Sequence, residues 1–120
     1  MLVADLLVDT DVFVDHIRGV RQLEIPVRKA LAYSVITRCE LLSGRGPEED
    51  VIQRMLAPFR EIPVDRAIAE RAGRLRRHLD VRTPDALIAA TALEHGLWLR
   101  TRNVRHFRGI PGLRLVKDRA

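Results

Sequence analysis

The stretch LLVDTDVFVD, residues 6–15, carries the reading of the whole chain: a short apolar run stops at Asp9, and apolar positions resume at Val12 and Phe13 after Thr10 and Asp11. A brief apolar run cut off by an acid reads as a strand, and the polar residues behind it read as the start of a helix. Residues 6–8 are therefore expected to form a strand that ends at Asp9. Asp11 is placed to cap a helix beginning near Val12.

The same alternation repeats outward from this stretch. Residues 32–36 read as a second strand, and Thr37 stands three residues before Glu40, the capping-box spacing, so a helix is expected from about Arg38 to Leu42 with a stop near Gly44. Residues 47–59 read as a helix, with Pro47 at a permitted first position and Val51, Ile52, Met55, Leu56 and Phe59 on one side. A short strand is expected at 62–64. From 65 to 79 a stripe of Ile68, Ala72, Leu75 and Leu79 faces away from Arg66, Glu70 and Arg77, the pattern of a helix lying on a sheet. Thr83, Pro84 and Asp85 supply a cap, a first-turn proline and an acid at the positive end of the dipole, and Gly96 supplies a stop. Residues 97–101 then read as a strand and 113–116 as a last, edge strand. Strands alternating with helices in this way imply an α/β fold with a parallel sheet.

Bulk composition narrows the function. The 120 residues suffice for one domain with a packed core, and 47% hydrophobic with 31% charged residues is far from the composition of disordered chains. The single cysteine, Cys39, excludes an internal disulfide, and the apolar N-terminus is broken by Asp5 and Asp9 and is not led by basic residues, so a cytoplasmic protein is expected rather than an exported one. No run approaches the ~20 apolar residues of a membrane span. The net charge of +5, carried almost wholly by arginine, suits a polyanionic partner such as nucleic acid, because the guanidinium fork matches phosphate.

Three acids share one kind of position: Asp9 ends a strand, Glu40 follows a strand within a turn, and Asp85 opens the helix before the next strand. In a parallel α/β sheet these places lie along one edge, where ligands bind. Asn103 follows the 97–101 strand and reaches the same edge. Each acid has a plain structural alternative as a turn residue, a capping partner or a dipole-complementing group. Together, however, two carboxylates at ~4 Å repel by roughly 4 kcal/mol at an effective dielectric of 20, and a divalent cation relieves this. Mg2+ or Mn2+ suits such oxygen ligands, and an ion there can bind a phosphodiester and activate water for its hydrolysis.

The runs LLVDTDVFVD, SVITRCELL, TPDALIAATALEHG and LRTRNVRHF, in this order and spacing, resemble the PIN-domain ribonucleases, in particular the VapC-type toxins of bacterial toxin–antitoxin pairs. The likeness spans residues 6 to 116. It implies one PIN-like domain over residues 1–120, a three-layer α/β/α sandwich around a parallel sheet, a Mg2+- or Mn2+-dependent endoribonuclease, a homodimer, and a cognate VapB-type antitoxin. On the family's motifs Asp9, Glu40 and Asp85 take the places of the metal-coordinating acids, with Thr10 and Thr101 as supporting polar residues. Many family members have aspartate where this chain has Asn103. Asparagine still hydrogen-bonds a water but adds no charge, so one firmly held metal is expected; Asp11 is a source of supplementary charge beside its capping role. Arg102, Arg105 and His106 adjoin this corner and are candidates for RNA phosphates.

Other features carry less. Cys39 has no histidine brought near it by a motif and is expected to be a small buried residue. His16, His78 and His95 read as helix-end groups. Asp9 and Asp11 also fit the opening motif of haloacid-dehalogenase phosphatases, but the only lysines are Lys29 and Lys117, and the later paired acids of that chemistry are missing. A PIN-fold protein that binds RNA or a partner without cutting is the remaining alternative, with Asn103 as its weak corner.

Overall fold

Five parallel strands lie in the order β3-β2-β1-β4-β5 in a computed structural model that describes residues 4–23 and 30–117. Along the chain the elements are β1 (Ala4–Val8), α1 (Thr10–Ile17), β2 (Ala30–Ser34), α2 (Val35–Ser43), α3 (Glu49–Leu56), β3 (Arg60–Ile62), α4 (Arg66–His78), α5 (Thr83–His95), β4 (Trp98–Thr101), α6 (Val104–Phe107) and β5 (Leu115–Lys117). The period-two alternation of the strands divides the core. Leu6, Val8, Leu31 and Tyr33 face one way, onto Val12, Phe13, Leu41, Ile52 and Leu56 of α1–α3. Leu7, Ala32, Ile62 and Leu99 face the other way, onto Ile68 and Ala72 of α4 and Ala86, Ala89 and Ala90 of α5. The result is the three-layer α/β/α sandwich that the sequence implies.

Strand order sets the place of the site. The chain moves from β1 to β2 on one side and later returns to β4 on the other, so helices leave the sheet in opposite directions at the carboxyl ends of β1 and β4. Side chains there border a crevice without special design.

Several boundaries differ from the sequence reading, each for a local reason. Asp9, not Asp11, caps α1: its backbone is extended, and its carboxylate accepts from the Thr10 amide. β2 ends at Ser34, whose hydroxyl accepts from the Ile36 amide at 3.0 Å, so Val35 and Ile36 fall in the first turn of α2 and Thr37 and Glu40 form no capping box. α3 is shorter than expected, with Pro47 before it and Pro58 after it, and Val51 is exposed. β3 stops before Pro63, which has no amide to give the ladder. Thr83 is the first residue of α5 and not its cap; Arg82 holds the cap position without a side-chain bond. Gly96, at φ +65°, closes α5 as expected, and the Leu97 amide turns back to Ala92 O at 2.9 Å, so β4 begins one residue later. β5 likewise starts at Leu115 rather than at 113. Cys39 is exposed, against expectation. Among the described residues no helix is long and apolar enough to cross a membrane.

Candidate active site

Asp9 is where the strand–helix junction turns into chemistry. Its amide continues the ladder to Arg100 O of β4 at 2.9 Å, which seats the residue at the sheet's edge. One carboxylate oxygen accepts from the Thr10 amide at 2.8 Å, and the other accepts from the Thr101 hydroxyl at 2.8 Å. The side chain is 5% exposed. Burial, and after it the neighbouring Asp11 carboxylate, push its pKa up to about 8 from the ordinary 3.8, against the pull of the two donors. Asp11, in the first turn of α1, accepts from the Arg102 amide at 3.2 Å, and burial raises its pKa too. Its other oxygen is buried without a hydrogen-bond partner.

Glu40 comes from α2 and meets Asp9 through Thr10, whose amide serves Asp9 while its hydroxyl donates to Glu40 Oε1 at 2.7 Å. Asp85 enters from the first turn of α5, where Pro84 and the helix start fix its place, and His106 Nδ1 of α6 lies 3.4 Å from Asp85 Oδ2. Asn103 follows β4 with its side chain exposed, and its amide donates to Thr101 Oγ1 at 3.0 Å. Thr101 thus passes a hydrogen bond from the Asn103 backbone towards Asp9.

All four of Asp9, Glu40, Asp85 and Asn103 line one open cleft of about 570 Å3, together with Thr10, Asp11, Arg102 and His106. The structure therefore brings together residues that lie up to 94 positions apart in the chain, from Asp9 to Asn103. Arg105, expected beside them, is exposed and does not line the cleft. Sequence reasoning missed Asp15, Arg18 and Arg82, which do. Asp15 was findable: it follows Asp11 by four residues, so both project from one face of α1. It pairs with the Arg102 guanidinium. Arg18, three residues after Asp15, carried the same spacing, whereas Arg82 ahead of α5 carried no such signal.

Five carboxylates against three guanidiniums leave the cleft short of positive charge. Among the described residues, no three His, Cys, Asp or Glu side chains stand close enough to clasp an ion by themselves. The donor set nevertheless suits Mg2+, which takes one or two carboxylates and completes its shell with water. The partnerless Asp11 oxygen and the raised pKa of Asp9, which burial and Asp11 cause, both mark carboxylates whose ionised form the protein does not itself balance. The phosphatase alternative fares worse: among the described residues no lysine lines the cleft.

Residues 6–113 match the sequence profile of the PIN domain. A curated relative, "Ribonuclease VapC10" of Mycobacterium tuberculosis, is 42% identical over 113 residues, covering 85% of each chain. Among solved structures, a toxin–antitoxin complex from Klebsiella pneumoniae contains a chain that superposes with a TM-score of 0.76 at 33% identity, covering 93% of this chain and 96% of that one. A DNA-bound VapBC from Salmonella typhimurium shares the fold with a TM-score of 0.84 at 23% identity, covering 96% and 98%.

Proposed function

Because the chain belongs to the PIN-domain family, we propose that it is an endoribonuclease, the toxin of a toxin–antitoxin pair, which hydrolyses RNA phosphodiesters in the cleft between Asp9, Glu40 and Asp85. The observation that carries the reading is the unbalanced pair Asp9 and Asp11, a buried carboxylate beside a half-buried one at the switch point of the sheet, with one buried Asp11 oxygen to spare. The names of its relatives, a ribonuclease and toxin chains held in complexes, support it. A VapB-type antitoxin as partner and pairing into a homodimer belong to the same reading.

Asp9, Glu40 and Asp85 would hold a Mg2+ or Mn2+ ion, one or two of them directly and the rest through water, and the ion would supply the charge that draws in a phosphodiester and makes a water give up a proton more readily and so a better nucleophile towards phosphorus. The protein's part is to keep the ligands still. Thr101 and the Thr10 amide fix both Asp9 oxygens, so its orientation is set before any substrate arrives. Thr10 does the same for Glu40. Arg18, Arg82 and Arg102 line the cleft walls, where they would meet the phosphates of an RNA strand. Base stacking contributes little: Phe13, Tyr33 and Phe107 are buried, and the exposed Trp98 starts β4, at the end of the sheet away from the cleft.

The test is to incubate the purified protein with structured RNA, with and without Mg2+ or Mn2+, beside Asp9→Asn and Asp85→Asn. Cleavage should require the ion and should fall by more than roughly 100-fold in either variant, since even groups that only orient a metal ligand cost 10–100-fold. Variants that cut as well as the parent would end the carboxylate mechanism. RNA bound but uncut at every ion concentration would favour a binding protein on the same fold.

A further inference from the structure

We propose that Thr37 is a positioning residue for this reaction, setting Glu40 in the cleft by way of Thr10; the inference rests on the ribonuclease reading. Thr10 Oγ1 stands 2.7 Å from Glu40 Oε1 and 2.9 Å from Thr37 Oγ1. A hydroxyl has one proton to give, and a carboxylate oxygen accepts. The Thr10 proton is therefore committed to Glu40, and Thr37 is the donor to Thr10. The chain of bonds runs one way, from Thr37 to Thr10 to Glu40.

The surroundings of Thr37 set it apart from an ordinary helical threonine. A threonine deeper in a helix commonly turns its hydroxyl back to the carbonyl four positions earlier, whereas for Thr37, in the first turn of α2, that carbonyl belongs to β2. Thr91 of α5 does this, donating to Leu87 O at 2.8 Å. Thr37 instead reaches sideways from α2 to α1 and is 0% exposed, so no water replaces its bond. Thr10 needs that bond. Its amide holds Asp9 and its hydroxyl holds Glu40, so its rotamer fixes two acids of the cleft at once. Removing the Thr37 hydroxyl takes away the donor to Thr10 Oγ1 and frees the half-buried Thr10 side chain to turn away from Glu40.

The experiment compares Thr37→Val, Thr37→Ser, Thr10→Val and the double valine variant in RNA cleavage, and by calorimetric titration with Mn2+ alone. Thr37→Val should lower kcat roughly three- to tenfold, the worth of one neutral hydrogen bond, with the KM for RNA unchanged and Mn2+ binding weakened several-fold. Thr37→Ser should restore both. In the Thr10→Val background, adding Thr37→Val should change nothing further, because the route to Glu40 is already cut. Equal activity and Mn2+ binding in parent and Thr37→Val would overturn the proposal, as would a failed serine rescue or the same extra loss in the Thr10→Val background, which marks a packing role. Thr37→Ala replaces the valine variant if that one fails to fold. If the parent cuts no RNA, the ribonuclease reading falls, and the Mn2+ titrations alone decide the role of Thr37 by the same comparisons.

Discussion

Asp9 ionises near pH 3.8 in an unfolded chain, whereas burial and Asp11 hold its proton in the folded protein until about pH 8. Between these values the folded state binds more protons than the unfolded one, so stability from this group is complete below pH 4 and is lost as pH rises to about 8. Metal-free protein should accordingly resist denaturant better at pH 5 than at pH 8, and Asp9→Asn should flatten the difference. A parent whose midpoint rises over that interval would contradict the burial argument. Divalent ion should act in the opposite sense, raising the midpoint most at pH 8, where Asp9 must ionise to serve as a ligand. At this scale the sequence told which acids meet but not what holds them. Asp9 and Asp85 announce themselves by abrupt changes of pattern, whereas the Thr10–Thr37 contact joins residues 27 apart that no local rule relates.

Elements were legible in kind and misjudged at their ends. Two of the errors arose where two capping residues fall within one turn: Asp9 against Asp11, and Ser34 against Thr37. Spacing alone does not rank such candidates; the Ser34 hydroxyl on the Ile36 amide does. The cap of α4 was not read from the sequence: Asp65 lies just before the helix, and its carboxylate accepts from the Ile68 amide at 2.9 Å. Asp65→Ala should cost about 1 kcal/mol of stability, measurable by denaturant unfolding, while leaving RNA cleavage intact because neither Asp65 nor any other residue of α4 lines the cleft. No change in stability would mean that the bond is absent in solution. In the middle strand, Leu7, fully buried against α5, should cost 2–5 kcal/mol, as estimated for a large-to-small core change, on substitution by alanine.

For the whole molecule, the α/β architecture followed from alternating apolar runs, because a sheet covered on both faces leaves few other arrangements for strands so short. Strand order was not legible: nothing local says that β1 lies between β2 and β4, yet that order creates the crevice. The excess of arginine, +5 overall, predicts RNA binding that weakens with salt. If Arg18, Arg82 and Arg102 each meet one phosphate, raising salt from 50 to 200 mM should weaken binding to single-stranded RNA roughly 20-fold. An affinity insensitive to salt would place the grip elsewhere.

The claim on which the rest depends is that carboxylates from three separate elements hold one divalent cation, one or two of them directly and the rest through water. Titration calorimetry of the chelator-treated protein with Mn2+ tests it without any substrate. The account predicts saturable binding in the parent and its loss in Asp9→Asn and in Asp85→Asn, both still folded. Undiminished binding in the two variants, or none in the parent, would contradict it.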